Sequence, residues 1–289
     1  MSLQNIQSAG KASTFGSNGI VLRATPGSVL ALDAIQARIP SVFAERPHES
    51  RSEKYSYIPT MRLLTEMEKE GFYPVEVRQG GSRIEDKRAF TKHLIRFRQA
   101  NQSLAVGDNF PEIALLNSHD GTSQYELLPG WFRLACLNGL YVSLASGTGI
   151  KVPHRGDVSD VIEASYRVVE DFPKQAAQIE DMRAITLTQP EQIAFANAAA
   201  SLRWDDPEAV DMSRVLRPHR PQDTDSSLWT TFNRVQENVI RGGVPVHSFN
   251  AQGRRQAKRS REVNGINDTV RLNQALWTLS AEMAKLKTA

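Results

Sequence analysis

The chain has 289 residues, of which 40% are hydrophobic and 23% are charged, and these proportions are typical of a globular protein that buries a core. No apolar run approaches the roughly 18 residues of a membrane span, and the polar first 19 residues lack the hydrophobic centre of a secretory signal. The single cysteine, Cys136, excludes an internal disulfide and a Cys-rich zinc site and favours a reducing cytoplasm. The net charge is only +3, so the grouping of the charges matters more than their sum.

The first half of the chain has the pattern of an α+β domain. Residues 1–25 are rich in Gly and Ser and are expected to form a flexible N-terminal arm. Residues 26–155 are expected to form a core with a largely antiparallel sheet and packing helices. Ser28 can cap an apolar helical run. A second helix is predicted to begin at Pro59 and to end at Gly71.

A predicted strand at 90–99 follows a β-like segment at 72–78. Side chains along a strand alternate between its two faces, so Lys92, Arg96 and Arg98 share one face. Three cations on one face predict a basic sheet surface.

A hairpin is predicted between strands at 110–117 and 123–128, across the turn His119-Asp120-Gly121. Asp-Gly between two alternating segments is a strong short-range hairpin signal. A short apolar helix is predicted at 131–136, and short strands are predicted after it, up to residue 152.

Residues 156–289 are predicted to be mostly helical. One helix should start at Thr188-Gln189-Pro190, and another should be capped by Ser226 or Ser227. Residues 248–263 are expected to form a basic loop. The last helix carries leucines at alternating spacings of 4 and 3, which predicts packing within this half of the chain or self-association.

Motifs for nucleotides and metals are missing from the sequence. Neither G-x-x-x-x-G-K-[ST] nor G-x-G-x-x-G occurs. The stretch Ser146-Gly147-Thr148-Gly149 lies between predicted strands without a following helix, so a turn is favoured over a phosphate site. The patterns H-E-x-x-H, C-x-x-C and the EF-hand loop are also absent, and we expect no cofactor. Cys136 lies in an apolar run and is predicted to be a small core residue.

Two acidic positions leave one enzymatic hypothesis open. His119 and Asp120 could form an acid–base pair or bind a metal, although turn chemistry is favoured for them. Glu76 lies in Pro-Val-Glu-Val-Arg, which is similar to part of a metal-dependent nuclease strand except that arginine replaces the usual lysine. We expect that the protein is not an enzyme. The enzymatic alternative is a metal-dependent nuclease.

Basic residues form three groups, at 83–98, 151–155 and 254–261. Such groups suit a phosphate backbone, which is bound electrostatically and without sequence preference, and they could equally be solvated surface or salt-bridge partners. His119 and Arg133 lie outside these groups and are added because no structural role is evident for them. The candidate DNA-binding residues are Lys87, Arg88, Lys92, Arg96, Arg98, His119, Arg133, Lys151, Arg155, Arg254, Arg255, Lys258, Arg259 and Arg261.

The segment at 115–142 resembles a phage- and plasmid-related protein family catalogued as domain of unknown function 932. The positions that match its signature are Asn117, Ser118, His119, Asp120, Gly121, Phe132, Arg133, Cys136, Asn138 and Gly139. The resemblance extends over about 26–245 and implies a cytoplasmic protein of prophages, plasmids or integrative elements. It supplies no catalytic residues.

A helix followed by a basic antiparallel sheet, without an ATP motif, also resembles the layout of phage single-strand annealing proteins. That layout implies single-stranded DNA as a partner, held by its phosphates, and subunits assembled into a ring or filament. We therefore predict a DNA-binding protein that acts in recombination or replication without nucleotide hydrolysis. The alternative is a protein–protein interaction module, for example a counter-defence inhibitor of a host nuclease or restriction system.

Overall fold

The computed structural model describes residues 6–15, 19–43, 59–82, 84, 90–118, 124–133, 139–144, 149–153, 157–249, 252 and 255–288. These residues form twelve strands and seven α-helices, and the α+β class predicted from the sequence is confirmed. The chain divides into two compact units, Met1–Arg133 with Gly139–Pro173 and Leu134–Asn138 with Lys174–Ala289.

The first unit contains ten described strands and the helices that cover them. The strands are β1 Gln7–Ser8, β2 Lys11–Phe15, β3 Gly19–Arg23, β4 Val29–Leu30, β5 Phe72–Gln79, β6 His93–Gln99, β7 Asn109–Asn117, β8 Tyr125–Arg133, β9 Gly139–Tyr141 and β10 Ile150–Val152. The helices are α1 Leu32–Arg38, α2 Thr60–Lys69 and α3 Val158–Ala184. The unit boundary lies inside α3, after Pro173, whereas the sequence suggested a change near residue 155.

Eight of the described strands form one antiparallel sheet in the order β10-β8-β7-β6-β5-β3-β2. The eighth strand, β9, pairs with the second half of β8, and β10 pairs with the first half. The two short strands β1 and β4 pair in parallel beside it. β2 and β3 belong to the segment that we expected to be a flexible arm. Val21 and Leu22 of β3 are both buried, and Leu22 belongs to the apolar core of this unit, so the segment is held in the sheet.

One face of the sheet packs against the helices. Val77, Ile95, Phe97 and Leu115 alternate inward from β5, β6 and β7 and join one apolar cluster with residues of α1, α2 and α3. The predicted helix after Pro59 is α2, and its apolar stripe is buried in the same cluster.

The helix predicted at 131–136 is wrong over its first three residues, which belong to β8. β8 is paired with β7 on one side and with β9 on the other. These ladders satisfy the backbone at Trp131, Phe132 and Arg133, so tertiary pairing overrides the helical pattern of the local sequence. Residues 134–138, including Cys136, lie outside the described residues.

The second unit contains the helices α4 Gln189–Ser201, α5 Met212–Val215, α6 Leu228–Arg241 and α7 Ile266–Thr288, and the strands β11 Pro245–Phe249 and β12 Arg255–Arg259. α4 begins at Thr188 with a capping box closed by Glu191, and Ser227 caps α6 through Thr230, so both predicted helix starts are confirmed.

α6 is the central helix of this unit, since thirteen of its fourteen residues are buried. Three of its buried polar side chains are paired with neighbouring elements. The two oxygens of Glu237 accept hydrogen bonds from Arg220 at 2.8 Å each, Gln236 Nε2 donates to Asn273 Oδ1 of α7 at 2.7 Å, and Asn238 Nδ2 donates to the carbonyl that ends α5 at 2.9 Å. Buried polar groups of this kind are stabilising only because each one has a partner.

Candidate nucleic-acid interface

Arg96 and Arg98, which the sequence placed on an exposed basic face, lie in a buried ion network. Arg96 Nη1 is 3.0 Å from Glu76 Oε2 on β5, and its Nε is 2.6 Å from Glu112 Oε2 on β7. Arg98 Nε is 3.0 Å from Glu112 Oε1. The side chains of Arg96 and Glu76 are 3% and 1% exposed. The alternation predicted for this strand is therefore present, but its cations are neutralised inside the protein.

Two further arginines converge on Glu76. Arg23 donates to Glu76 Oε2, and Arg78 Nε lies 2.6 Å from Glu76 Oε1. Burial by itself would raise the pKa of Glu76, but the guanidinium groups of Arg78, Arg96 and Arg23 outweigh it and hold this pKa well below the usual value. The carboxylate thus stays ionised and is engaged by three cations, in surroundings unlike those of a metal ligand.

The aromatic side chains on this face of the sheet cover the same arginines. The guanidinium carbon of Arg96 lies 3.5 Å from the ring centroid of Phe132, and that of Arg98 lies 5.4 Å from that of Phe110. Such stacking favours arginine over lysine at these positions. Arg96 and Arg98 therefore stabilise the sheet in the described structure.

The remaining candidates of the first unit are placed differently from one another. Arg133 Nε is 2.9 and 3.1 Å from the two oxygens of Asp108, so Arg133, for which the sequence offered no structural role, has one. Lys92 is partly buried, and Lys151 is exposed on β10. The other sequence candidates, Lys87, Arg88, His119, Arg155 and Arg254, lie outside the described residues.

The expected basic loop at 248–263 overlaps an antiparallel ribbon formed by β11 and β12. Pro245 pairs with Arg259 and Val246 with Lys258, and the pairing continues to Phe249 and Arg255. The loop prediction is wrong for β12 because Arg-Gln-Ala-Lys-Arg has no β-branched or aromatic residue, and only its pairing with β11 makes it a strand. The β-compatible sequence of β11 was the available signal.

Two glycines fix the start of the ribbon. Gly242 ends α6 with φ 71° and ψ −151°, and Gly243 follows with φ 75°. A side chain at Gly242 would place its Cβ 2.5 Å from the Arg261 carbonyl oxygen. The backbone bonds from Gly243 N to Ser260 O, at 2.8 Å, and from Ser260 N to Val244 O, at 2.9 Å, then close the base of the ribbon. This close approach requires glycine.

The ribbon is strongly basic. Residues 242–261 contain five lysines and arginines and no aspartate or glutamate. Lys258, Arg259 and Arg261 are exposed, and within the described part of the chain no carboxylate forms an ion pair with them. Arg259 Nη1 donates to the Gly243 carbonyl at 2.9 Å. Lys258, Arg259 and Arg261 thus place three exposed cations on or beside β12, without an acidic partner among the described residues.

Arg203 adds a cation at the base of the ribbon that the sequence did not indicate. Its guanidinium donates to the Arg261 carbonyl and lies 5.2 Å from the ring centroid of Trp204. Partial burial lowers the pKa of Arg203, although an arginine keeps its charge near neutral pH. The only sequence signal was an Arg-Trp pair after the predicted α4, which is too short a pattern to predict this contact.

Among the described residues, no group of three or more His, Cys, Asp or Glu side chains is arranged to hold a metal ion. None of the helices in the described ranges has the length and apolarity needed to cross a membrane.

Comparison with known proteins identifies the family. Residues 47–277 match the family model described as a domain of unknown function, DUF932. The chain belongs to this family. The resemblance seen at 115–142 is thereby confirmed at the level of the family.

Two relatives from Escherichia coli (strain K12) align over nearly the whole chain. These are the UPF0380 proteins YafZ and YfjQ, each 43% identical over 271 residues, which cover 93% of this chain and 96% of the relative. No solved structure matches the chain. The names of the family and of these relatives state no activity.

Proposed function

We propose that this DUF932 protein binds single-stranded DNA and promotes its annealing during recombination or replication of a mobile genetic element, without hydrolysing a nucleotide. The observation that carries the proposal is the ribbon of β11 and β12, with exposed cations and no acidic residue in 242–261. Cations that lack ion-pair partners can release the counterions condensed on a phosphate backbone, and this release drives sequence-independent binding.

The ion pairs of the sheet change which residues we propose as DNA contacts. Arg96 and Arg98 already bind Glu76 and Glu112, so a phosphate would have to compete with buried carboxylates for them. Lys258, Arg259 and Arg261 have no such competitor among the described residues. Arg203 at the base of the ribbon adds to the same positive surface.

The test is fluorescence anisotropy with a labelled single strand at low and raised salt. The ribbon variant Lys258→Gln/Arg261→Gln is compared with a control, Arg271→Gln/Lys285→Gln, which removes the same charge from side chains of α7 that are 85% and 72% exposed. We expect salt-sensitive binding by the native protein and by the control. The ribbon variant should bind more weakly, with a salt slope reduced by about 0.7 for each lost contact.

Two results would contradict the proposal. The native protein could fail to bind at low salt, or the ribbon and control variants could lose the same affinity. A strand-annealing assay with complementary fluorescent strands then tests the second part of the proposal, since annealing should fall in the ribbon variant and should not need ATP.

A further inference from the structure

We propose that the ribbon of β11 and β12 holds two phosphate backbones at once, one on each face, and that its occupant is a DNA duplex, the product of annealing. This inference rests on the proposed function. It adds that the complementary DNA strand also binds this ribbon. The proposed function requires only that one DNA strand binds there.

The pairing register assigns the cations to faces. Residues directly opposite each other in an antiparallel pair share a face, and successive residues along a strand alternate. Lys258 lies opposite Val246, and Arg259 lies opposite Pro245. Lys258 and Arg259 therefore project from opposite faces, and both are exposed.

Each face also has a second polar residue suited to DNA. Gln256, which is exposed, shares the face of Lys258, because Gln256 pairs with Ser248. His247 pairs with Ala257 and shares the face of Arg259. Amide and imidazole groups supply hydrogen bonds to phosphate and sugar oxygens beside the charged contacts. Neither strand of the ribbon contains an aspartate or glutamate that would repel a backbone.

The dimensions of DNA fit this arrangement. The major groove is about 12 Å wide and admits a two-stranded ribbon. A ribbon inserted there with its faces toward the two groove walls would direct one cation to each strand. A single strand has one backbone and can follow only one face, so the second face would gain a ligand only when the complementary strand is present.

The test measures the affinity of single-face variants for a short duplex and for one of its strands. The variants are Lys258→Gln, Arg259→Gln and the double change, with Arg259→Lys as a variant that keeps the charge. Each single change should weaken duplex binding by roughly threefold and reduce the salt slope by about 0.9, and the double change should multiply the two effects. On the single strand, the double variant should bind no more weakly than the poorer single variant.

Arg259 also donates to the Gly243 carbonyl, so the thermal unfolding of each variant is measured alongside, and Arg259→Lys should retain duplex affinity. Duplex binding that depends on one face alone, or equal responses of duplex and single strand to every variant, would overturn the two-backbone inference and leave DNA binding intact. Loss of all DNA binding in the native protein would instead overturn the proposed function, and with it this inference.

Discussion

Individual arginines of this protein differ in what surrounds them, although they look alike in the sequence. Arg96 has a side chain that is 3% exposed and contacts two carboxylates, whereas the side chain of Arg23 is 31% exposed and contacts one. Removing one partner of a buried ion network leaves the other charge uncompensated, which costs far more than the loss of a solvated ion pair.

Substitution of Arg96 should therefore destabilise the protein strongly. We expect Arg96→Met to lower the free energy of unfolding by about 3–5 kcal/mol, because Glu76 and Glu112 would lose a buried cation. Arg23→Met should cost less, because Arg23 is partly exposed and Glu76 keeps Arg78 and Arg96 as partners. Urea denaturation followed by circular dichroism measures both values. Similar losses in the two variants would show that the network does not act as a buried unit.

The sequence predicted the alternation of β6 but not its partners. Period two correctly places Arg96 and Arg98 on one face, while the identity of the facing residues depends on strand order and register, which local patterns do not determine. One signal was present. Glu112 is a lone acid in the otherwise apolar stretch Phe-Pro-Glu-Ile-Ala-Leu-Leu, and an acid in a buried strand requires a cation nearby.

Among the elements, the ribbon depends most on its point of attachment. Gly242 and Gly243 both have positive φ, but a Cβ at Gly242 would meet the Arg261 carbonyl, while a Cβ at Gly243 would have no atom within 4 Å. Substitution at Gly243 therefore tests backbone strain alone, and substitution at Gly242 tests strain together with a steric clash.

Alanine substitutions at these glycines should differ accordingly. Gly243→Ala should cost about 1–2 kcal/mol, the penalty for a side chain in left-handed backbone. Gly242→Ala should cost more and should also weaken DNA binding, because the clash displaces the base of β12. Thermal unfolding and anisotropy on the two variants provide the measurement. Equal stability and equal affinity in both would show that the close approach at Gly242 is not required.

For the whole molecule, three helix-end signals in the sequence are confirmed, whereas the cap predicted at Ser28 is wrong, because Val29 and Leu30 form β4 and α1 begins at Leu32. The caps at Thr188 and Ser227 and the stop at Gly71 depend on local chemistry, and the sequence predicted each of them. The length of β8 and the pairing of β12 depend on neighbouring strands, so local patterns misassigned both. Asn117, a signature position of the family, donates to Thr60 at the start of α2 at 3.2 Å, and its structural role likewise emerges only from the fold.

The network around Glu76 should make the folded protein sensitive to acid. Because the pKa of Glu76 is lowered in the folded state, its contribution to stability is complete above the ordinary glutamate value of 4.5. The contribution is lost progressively as the pH falls below that value toward the folded pKa. We expect the free energy of unfolding to fall steeply below about pH 4.5.

The comparison is with Arg23→Gln, which removes one of the three cations that lower this pKa. Its stability should depend less steeply on pH in the acid range than that of the native protein. The measurement is urea denaturation at a series of pH values. Identical slopes in the two proteins would argue against Glu76 as the source of the acid sensitivity.

The burial of α6 has a consequence for how the second unit can vary. Three of its buried polar side chains each bind a particular neighbour: Gln236 binds an amide of α7, Glu237 binds the guanidinium of Arg220, and Asn238 binds a carbonyl of α5. One inserted residue would rotate everything beyond it by about 100° and mismatch all three together. Substitutions in this helix and in its binding partners are therefore coupled, so that a change in one requires a matching change in the other.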